Sequence, residues 1–187
     1  MTRILLLILC CSACLFACES PQTNSNAVTT VVEEVEEYTG PVLTFSNIET
    51  FYSQNAQVKL RLVAPTQWHM QNSDEVFPDG VHITFFDKDN QEKTTLVSDS
   101  ARYIAEIKTY HMVGNVEVHN MVENQTLETP ILNLDERSKE IFTDTTLKIT
   151  TEKELIYGIG LRAKQDFSQY KIAKPTGIFS IDTQPTN

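Results

Sequence analysis

Leu96-Val97-Ser98-Asp99-Ser100-Ala101-Arg102-Tyr103 and Leu127-Glu128-Thr129-Pro130-Ile131-Leu132-Asn133-Leu134 decide the fold of this chain. Both follow one pattern, Leu96-x-Ser98-x-x-Ala101-x-Tyr103 and Leu127-x-Thr129-x-x-Leu132-x-Leu134. Ile156-x-Gly158-x-x-Leu161-x-Ala163 repeats it, at steps of 31 and 29 residues. A second pattern, Val116-x-Val118, Leu147-x-Ile149 and Phe179-x-Ile181, is interleaved with the first at steps of 31 and 32. Alternate side chains of a strand share one face of its sheet, so each copy places an apolar set on one side. A period near thirty predicts hairpin units stacked in register, each burying its apolar face against the next. Such a stack has two open ends with unpaired backbone N–H and C=O groups, to be protected or used for adding a partner's strand.

Alternation extends outward from this region, through Val58-Lys59-Leu60-Arg61-Leu62 and Val81-His82-Ile83-Thr84-Phe85. Turn signals punctuate the runs at Pro78-Asp79-Gly80, Asp87-Lys88-Asp89-Asn90, Gly114-Asn115, Glu123-Asn124-Gln125, Asp135-Glu136-Arg137-Ser138-Lys139 and Pro175-Thr176-Gly177. Many short strands at this spacing predict an all-β sandwich, roll or barrel. Helical periodicity is absent over any long stretch beyond Gly40. One β-domain is expected over residues 42–182, large enough for a core of its own, with a short flexible tail at 183–187.

The first residues have a different character. Arg3, the apolar run Ile4-Leu5-Leu6-Leu7-Ile8-Leu9 and the small-residue site Leu15-Phe16-Ala17-Cys18 predict a secretory leader over residues 1–17. The run is too short for the ~20 apolar residues of a membrane-crossing helix. Leu15-x-Ala17-Cys18 resembles a bacterial lipoprotein box, which makes Cys18 the expected lipidation site and Cys14 a weaker competitor. All four cysteines (Cys10, Cys11, Cys14 and Cys18) lie in this region, so after cleavage the body has no disulfide and no thiolate chemistry. The whole chain carries a net charge of −10. Loss of Arg3 makes it more negative still, which argues against nucleic acid and against adhesion to anionic headgroups. Residues 18–41 read as the lipidated cysteine and an acidic, flexible tether rich in Ser, Thr, Asn, Gln and Glu. As a coil the tether would span roughly 25 Å, and about 75 Å if stretched.

Enzyme chemistry finds no foothold. His69, His82, His111 and His119 are isolated, and neither His-Glu-x-x-His nor Gly-x-Ser-x-Gly occurs. Gly158-Ile159-Gly160 lacks the third glycine of a dinucleotide site and reads as a bend or a close strand approach. No enzyme activity, cofactor or metal is expected.

The motif order resembles the LptC family, the periplasmic component of the lipopolysaccharide export bridge. The likeness rests on the Leu96 to Tyr103 and Leu127 to Leu134 motifs and on Gly114-Asn115-Val116-Glu117-Val118. Ile141-Phe142-Thr143 with Leu147-Lys148-Ile149, and Ile156-Tyr157-Gly158-Ile159-Gly160-Leu161, follow in family order, and the likeness covers about residues 42 to 182. Familiar members carry a membrane-spanning helix where this chain has Cys18 and a tether. The resemblance implies a twisted β-jelly-roll, a stacked antiparallel slot of the OstA/LptA-like kind, that takes lipopolysaccharide from an inner-membrane ABC extractor and relays it onward. Implied partners are lipopolysaccharide, the permeases of that transporter and a periplasmic bridge protein of the same fold. Val116, Val118, Leu147 and Ile149 are the expected slot lining. Gly177, Ile178, Phe179, Ser180 and Ile181 are the expected docking edge, with Leu43-Thr44-Phe45-Ser46 facing the transporter. The protein would face the periplasm on a lipid anchor, in the inner rather than the outer membrane. The competing reading is a β-barrel or sandwich lipoprotein that binds another lipid, a polysaccharide or a protein.

Overall fold

The computed structural model describes residues 38–180. The expected leader, Cys18, most of the tether, Ile181 and the tail lie outside the described residues. Eleven strands form one sheet: β1 (Leu43–Gln54), β2 (Gln57–His69), β3 (Glu75–Phe77), β4 (Val81–Phe86), β5 (Glu92–Ser98), β6 (Ser100–Ile104), β7 (Thr109–Asn120), β8 (Gln125–Asp135), β9 (Glu140–Thr150), β10 (Glu154–Lys164) and β11 (Tyr170–Ser180). Among the described residues there is no helix.

The pairing explains the period. β3 and β4 both lie on β2, and Pro78-Asp79-Gly80 joins them. β5 and β6 both lie on β7, joined at Asp99. β3 also pairs with β6, and β4 with β5. Each of these pairs is one strand broken at a corner. The sheet is therefore a meander of nine bent strands among the described residues, each paired antiparallel with the next in sequence. One up-and-down unit takes about thirty residues, which is the step between copies of the sequence pattern. The result is the all-β domain the pattern predicts and the jelly-roll the resemblance implies.

The corners line up across the sheet. The register shifts in β7 between Val113 and Val116, in β8 between Glu128 and Asn133, in β10 between Ile159 and Leu161, and in the β10–β11 ladder after Tyr157. Each shift inserts unpaired residues that bend the strand. Gly114 (φ 83°) sits at such a corner, and a Cβ there would lie 2.6 Å from Asp99 Oδ2. Gly158-Ile159-Gly160 combines both readings made of it, a bend at Gly160 (φ 76°) and a close approach of Gly158 to Ile172. Polar side chains tie one corner to the next: Thr66 Oγ1 donates to Asp79 at 2.6 Å, Asn115 Nδ2 to Asp99 at 2.7 Å, and the Thr129 and Thr145 hydroxyls meet at 3.1 Å.

The corners split the sheet into two arms. One holds β4, β5 and the stretch Val116 to Asn120 of β7; the other holds β3, β6 and the stretch Thr109 to Val113. The three-residue step inside Leu127-x-Thr129-x-x-Leu132-x-Leu134 is the corner itself. It resets the alternation so that Leu127 and Thr129 point inward on one arm, and Leu132 and Leu134 on the other. The inner faces of both arms form one core, including Phe77, Ile83, Leu96, Met112, Val118, Leu132, Ile141 and Ile149. Full burial of each such side chain stabilises the fold by about 1.5–3 kcal/mol, the main term in a body without disulfides.

Three details differ from the sequence reading. Pro78-Asp79-Gly80, Gly114-Asn115 and Pro175-Thr176-Gly177 mark corners inside bent strands rather than chain reversals. The second pattern fails at its last copy: Ile156 pairs with Ile178, so Ile178 faces inward and Phe179 outward, because the bulge near Thr176 changes the phase. Among the described residues β1 pairs only with β2 and β11 only with β10, so these strands form an open sheet rather than the closed barrel the strand spacing also allowed.

Asp74, in the turn between β2 and β3, clamps this turn to the one after β6. Its Oδ2 accepts from Arg102 Nη2 at 2.6 Å and Nε at 3.0 Å, and its Oδ1 accepts from Ala105 N at 3.0 Å. Burial opposes ionisation, but hydrogen bonds from Arg102 and Ala105 N–H, and the contact with Asn72, hold the carboxyl below its ordinary 3.8. A depressed folded-state pKa stabilises above the unfolded value and loses that contribution as pH falls through the folded one. Asp74→Asn is expected to cost about 2 kcal/mol at neutral pH. Thermal unfolding along an acid series checks this: the gap to wild type should narrow as the pH drops below 3.8, and a constant gap would contradict it.

Candidate lipid slot and its edges

The expected lining residues lie together on the inner face. Val118 pairs with Leu127, Leu127 with Ile149 and Ile149 with Ile156, a continuous apolar row across four strands. Val116 and Leu147 flank Thr129 and Gly158 one step closer to the corner. All four residues are at most 4 % exposed, so they are packed core here. The residues between them form the outer row Glu117–Glu128–Lys148–Tyr157, where Lys148 Nζ pairs with Glu128 at 2.5 Å. That carboxylate raises the Lys148 ammonium above its ordinary value. The two rows differ by one residue in sequence and by a whole face in environment.

At its two free edges the sheet is open. β1 exposes Leu43, Phe45, Phe51 and Tyr52, and β11 exposes Ile178 and Phe179. Next to β1 a cavity of about 390 Å³ opens into the slot between Phe45, Ile48, Leu62, Phe77 and Tyr110. Away from the corners, the arms are bridged by the β10–β11 loop, residues 165–169. Phe167 of this loop is fully buried and stacks on Tyr170 at 5.2 Å. Asp166 O accepts from Thr94 Oγ1 at 2.8 Å and from Asn120 Nδ2 at 2.9 Å, and Phe167 O accepts from Gln125 Nε2. Lys93 Nζ reaches the Asp166 carboxylate at 2.7 Å. This bridge was illegible in the sequence, because Thr94, Asn120 and Gln125 look like ordinary turn and strand residues.

The edge residues Gly177, Ile178, Phe179 and Ser180 do lie on a terminal strand, and the direction of their peptide groups follows from the ladder. Thr151 N donates to Glu154 O, which turns the peptide groups of Glu154 and Ile156 toward β9 and those of Leu155 and Tyr157 toward β11. Ile178, opposite Ile156, therefore presents its N–H and C=O to the free edge. The histidines are cross-strand partners: His111 Nδ1 lies 2.8 Å from Asn133 Oδ1, and His119 Nδ1 2.9 Å from Thr126 Oγ1.

A family model described as lipopolysaccharide-assembly, LptC-related, matches residues 4–174. The chain belongs to the LptC-related family. The match begins upstream of the β-domain, within the residues expected to form a leader. No curated protein matches the chain. Membership brings a role in lipopolysaccharide transport, in the periplasmic part of the envelope and in association with the export machinery. The family is one of bridge components and is not known as an enzyme family.

Proposed function

We propose that this LptC-related protein is a lipid-anchored relay, accepting lipopolysaccharide from an inner-membrane ABC extractor and passing it to a periplasmic bridge protein of the same fold. The observation that carries the reading is the apolar inner face, continuous from strand to strand and ending at two unpaired edges. Acyl chains need such an interior: at about 25 cal/mol per Å² of apolar surface, even one chain supplies ample driving force. Val116, Val118, Leu147 and Ile149 are the proposed contact surface. They are closed in the free domain, so cargo enters by parting the arms. The segment from Gly177 to Ile181, of which β11 carries the residues through Ser180, is the proposed docking edge for the next bridge domain, and β1 the edge toward the transporter. Fluorescent lipopolysaccharide added to the purified full chain should bind saturably near one to one; absence of binding would contradict the reading.

Cys18 is the proposed anchor, and the inner membrane its site, because the donor resides there. Cys18→Ala should abolish incorporation of an alkynyl fatty acid and leave a soluble or unprocessed chain. Label retained in that variant would refute Cys18 as the site.

A further inference from the structure

Lysines from four separate segments converge at the side of the domain away from the corners. Lys59 of β2, Lys88 in the β4–β5 turn, Lys93 of β5 and Lys139 in the β8–β9 turn line one cavity of about 450 Å³, with Phe85 and Phe86 beside them. Gln54, Asp87 and, from the bridging loop, Gln165 and Asp166 complete the wall. The chain as a whole carries 25 acidic against 15 basic residues, so this local excess runs against its composition.

The local charge does not cancel. Lys93 is neutralised by Asp166 at 2.7 Å. Asp87, the other acid on the wall, keeps its charge, its Oδ1 accepting from Asp89 N at 2.8 Å and Gln91 N at 2.9 Å, so the lining sets four lysines against two carboxylates. Among the described residues, Lys59, Lys88 and Lys139 form no ion pair. Lys59 Nζ donates to Gln57 Oε1 at 2.7 Å, and Lys139 Nζ stands 5.9 Å from the centre of the Tyr52 ring. Their ammonium groups retain donors for an anion that accepts several hydrogen bonds at once, as a phosphate ester does. Phe85 belongs to the core, so an anion held here lies next to the apolar interior.

We propose that this cavity binds the phosphate group of a glycolipid, holding the charged headgroup at the slot mouth while the acyl chains lie inside. The inference rests on the lipid-relay reading and adds a headgroup site to it. Its size suits a phosphorylated sugar. The aromatic pair accepts the apolar side of the same molecule. Lys88 and Lys139 are exposed and Lys59 is half-buried, so the hold is weak, as a relay that releases its cargo requires.

The test compares bisphosphorylated lipid A, the same lipid stripped of phosphate, and inorganic pyrophosphate. Each is titrated into the full chain and into a Lys59→Gln/Lys88→Gln/Lys139→Gln variant, which leaves the Lys93–Asp166 pair intact and whose thermal midpoint is measured alongside. The expected result is a loss of roughly tenfold in affinity for the phosphorylated lipid, with the stripped lipid binding both chains alike. Added salt should weaken only the phosphorylated lipid's binding to wild type. Equal affinity of the phosphorylated lipid for both folded chains would overturn the site. If neither lipid binds wild type but pyrophosphate shifts the backbone amide NMR signals around the cavity there and not in the variant, the phosphate site stands and the lipid-relay reading falls. If pyrophosphate also leaves them unmoved, the site falls as well.

Discussion

Phe167→Ala is expected to lower the unfolding free energy of the domain by about 3–5 kcal/mol, the cost of emptying a fully buried aromatic site. The residue is enclosed although it sits in a hairpin loop, at φ 51°, a conformation that a loop sustains only when its surroundings enforce it. The enforcement comes from the opposite arm. Thr94, Asn120 and Gln125 are buried polar side chains that donate to the carbonyls of Asp166 and Phe167. If the loop moves, these donors lose their acceptors, and each orphaned group costs about 1–3 kcal/mol more. The amide of Asn120 has a second task, its Oδ1 accepting from Val122 N and Glu123 N at 2.9 Å, so it cannot follow the loop freely. Urea unfolding of the variant and wild type measures the effect. A loss below about 1 kcal/mol would show that the bridge is not part of the core.

Ile178→Pro is expected to weaken binding of a same-fold bridge partner about tenfold while the domain stays folded. Proline removes an N–H that points to the free edge, so no bond within the sheet is lost, and its ring obstructs an incoming strand. Phe179→Pro supplies the contrast. Phe179 pairs with Leu155 in a hydrogen-bonded position, so that change breaks the β10–β11 ladder and should lower the thermal midpoint. Circular dichroism and partner pull-down measured together separate the two. A folded Ile178→Pro variant that binds its partner at full strength would rule out docking through β11.

The repeat was the legible part of the fold. Leu127, Thr129, Leu132 and Leu134 advertise an inward face, and the thirty-residue step announces paired strands. What the repeat could not convey was why its middle step is three residues. Corners made of Asp99, Gly114-Asn115 and Pro130 carry the same turn-forming residue types as true reversals, so local chemistry does not separate a bend from a hairpin. Phe179 misled for a related reason, because one bulged residue near Thr176 flips every later side chain to the other face. The shared inward face of Val116, Val118, Leu147 and Ile149, the proposed slot lining, was readable from alternation. The bridging loop and the lysine cavity were not, since Thr94 meets Asp166, and Lys59 and Lys139 come to line one cavity, only when the arms close over one another.

The central claim is that cargo meets the inner row and not the outer one. A photo-reactive residue placed at Val118 or Ile149, and separately at Glu117 or Lys148, is irradiated in cells that make lipopolysaccharide, and the adducts are scored by immunoblot. The account predicts capture from the first pair and none from the second. Capture from both rows alike, or from the outer row alone, would contradict a slot with a defined inside.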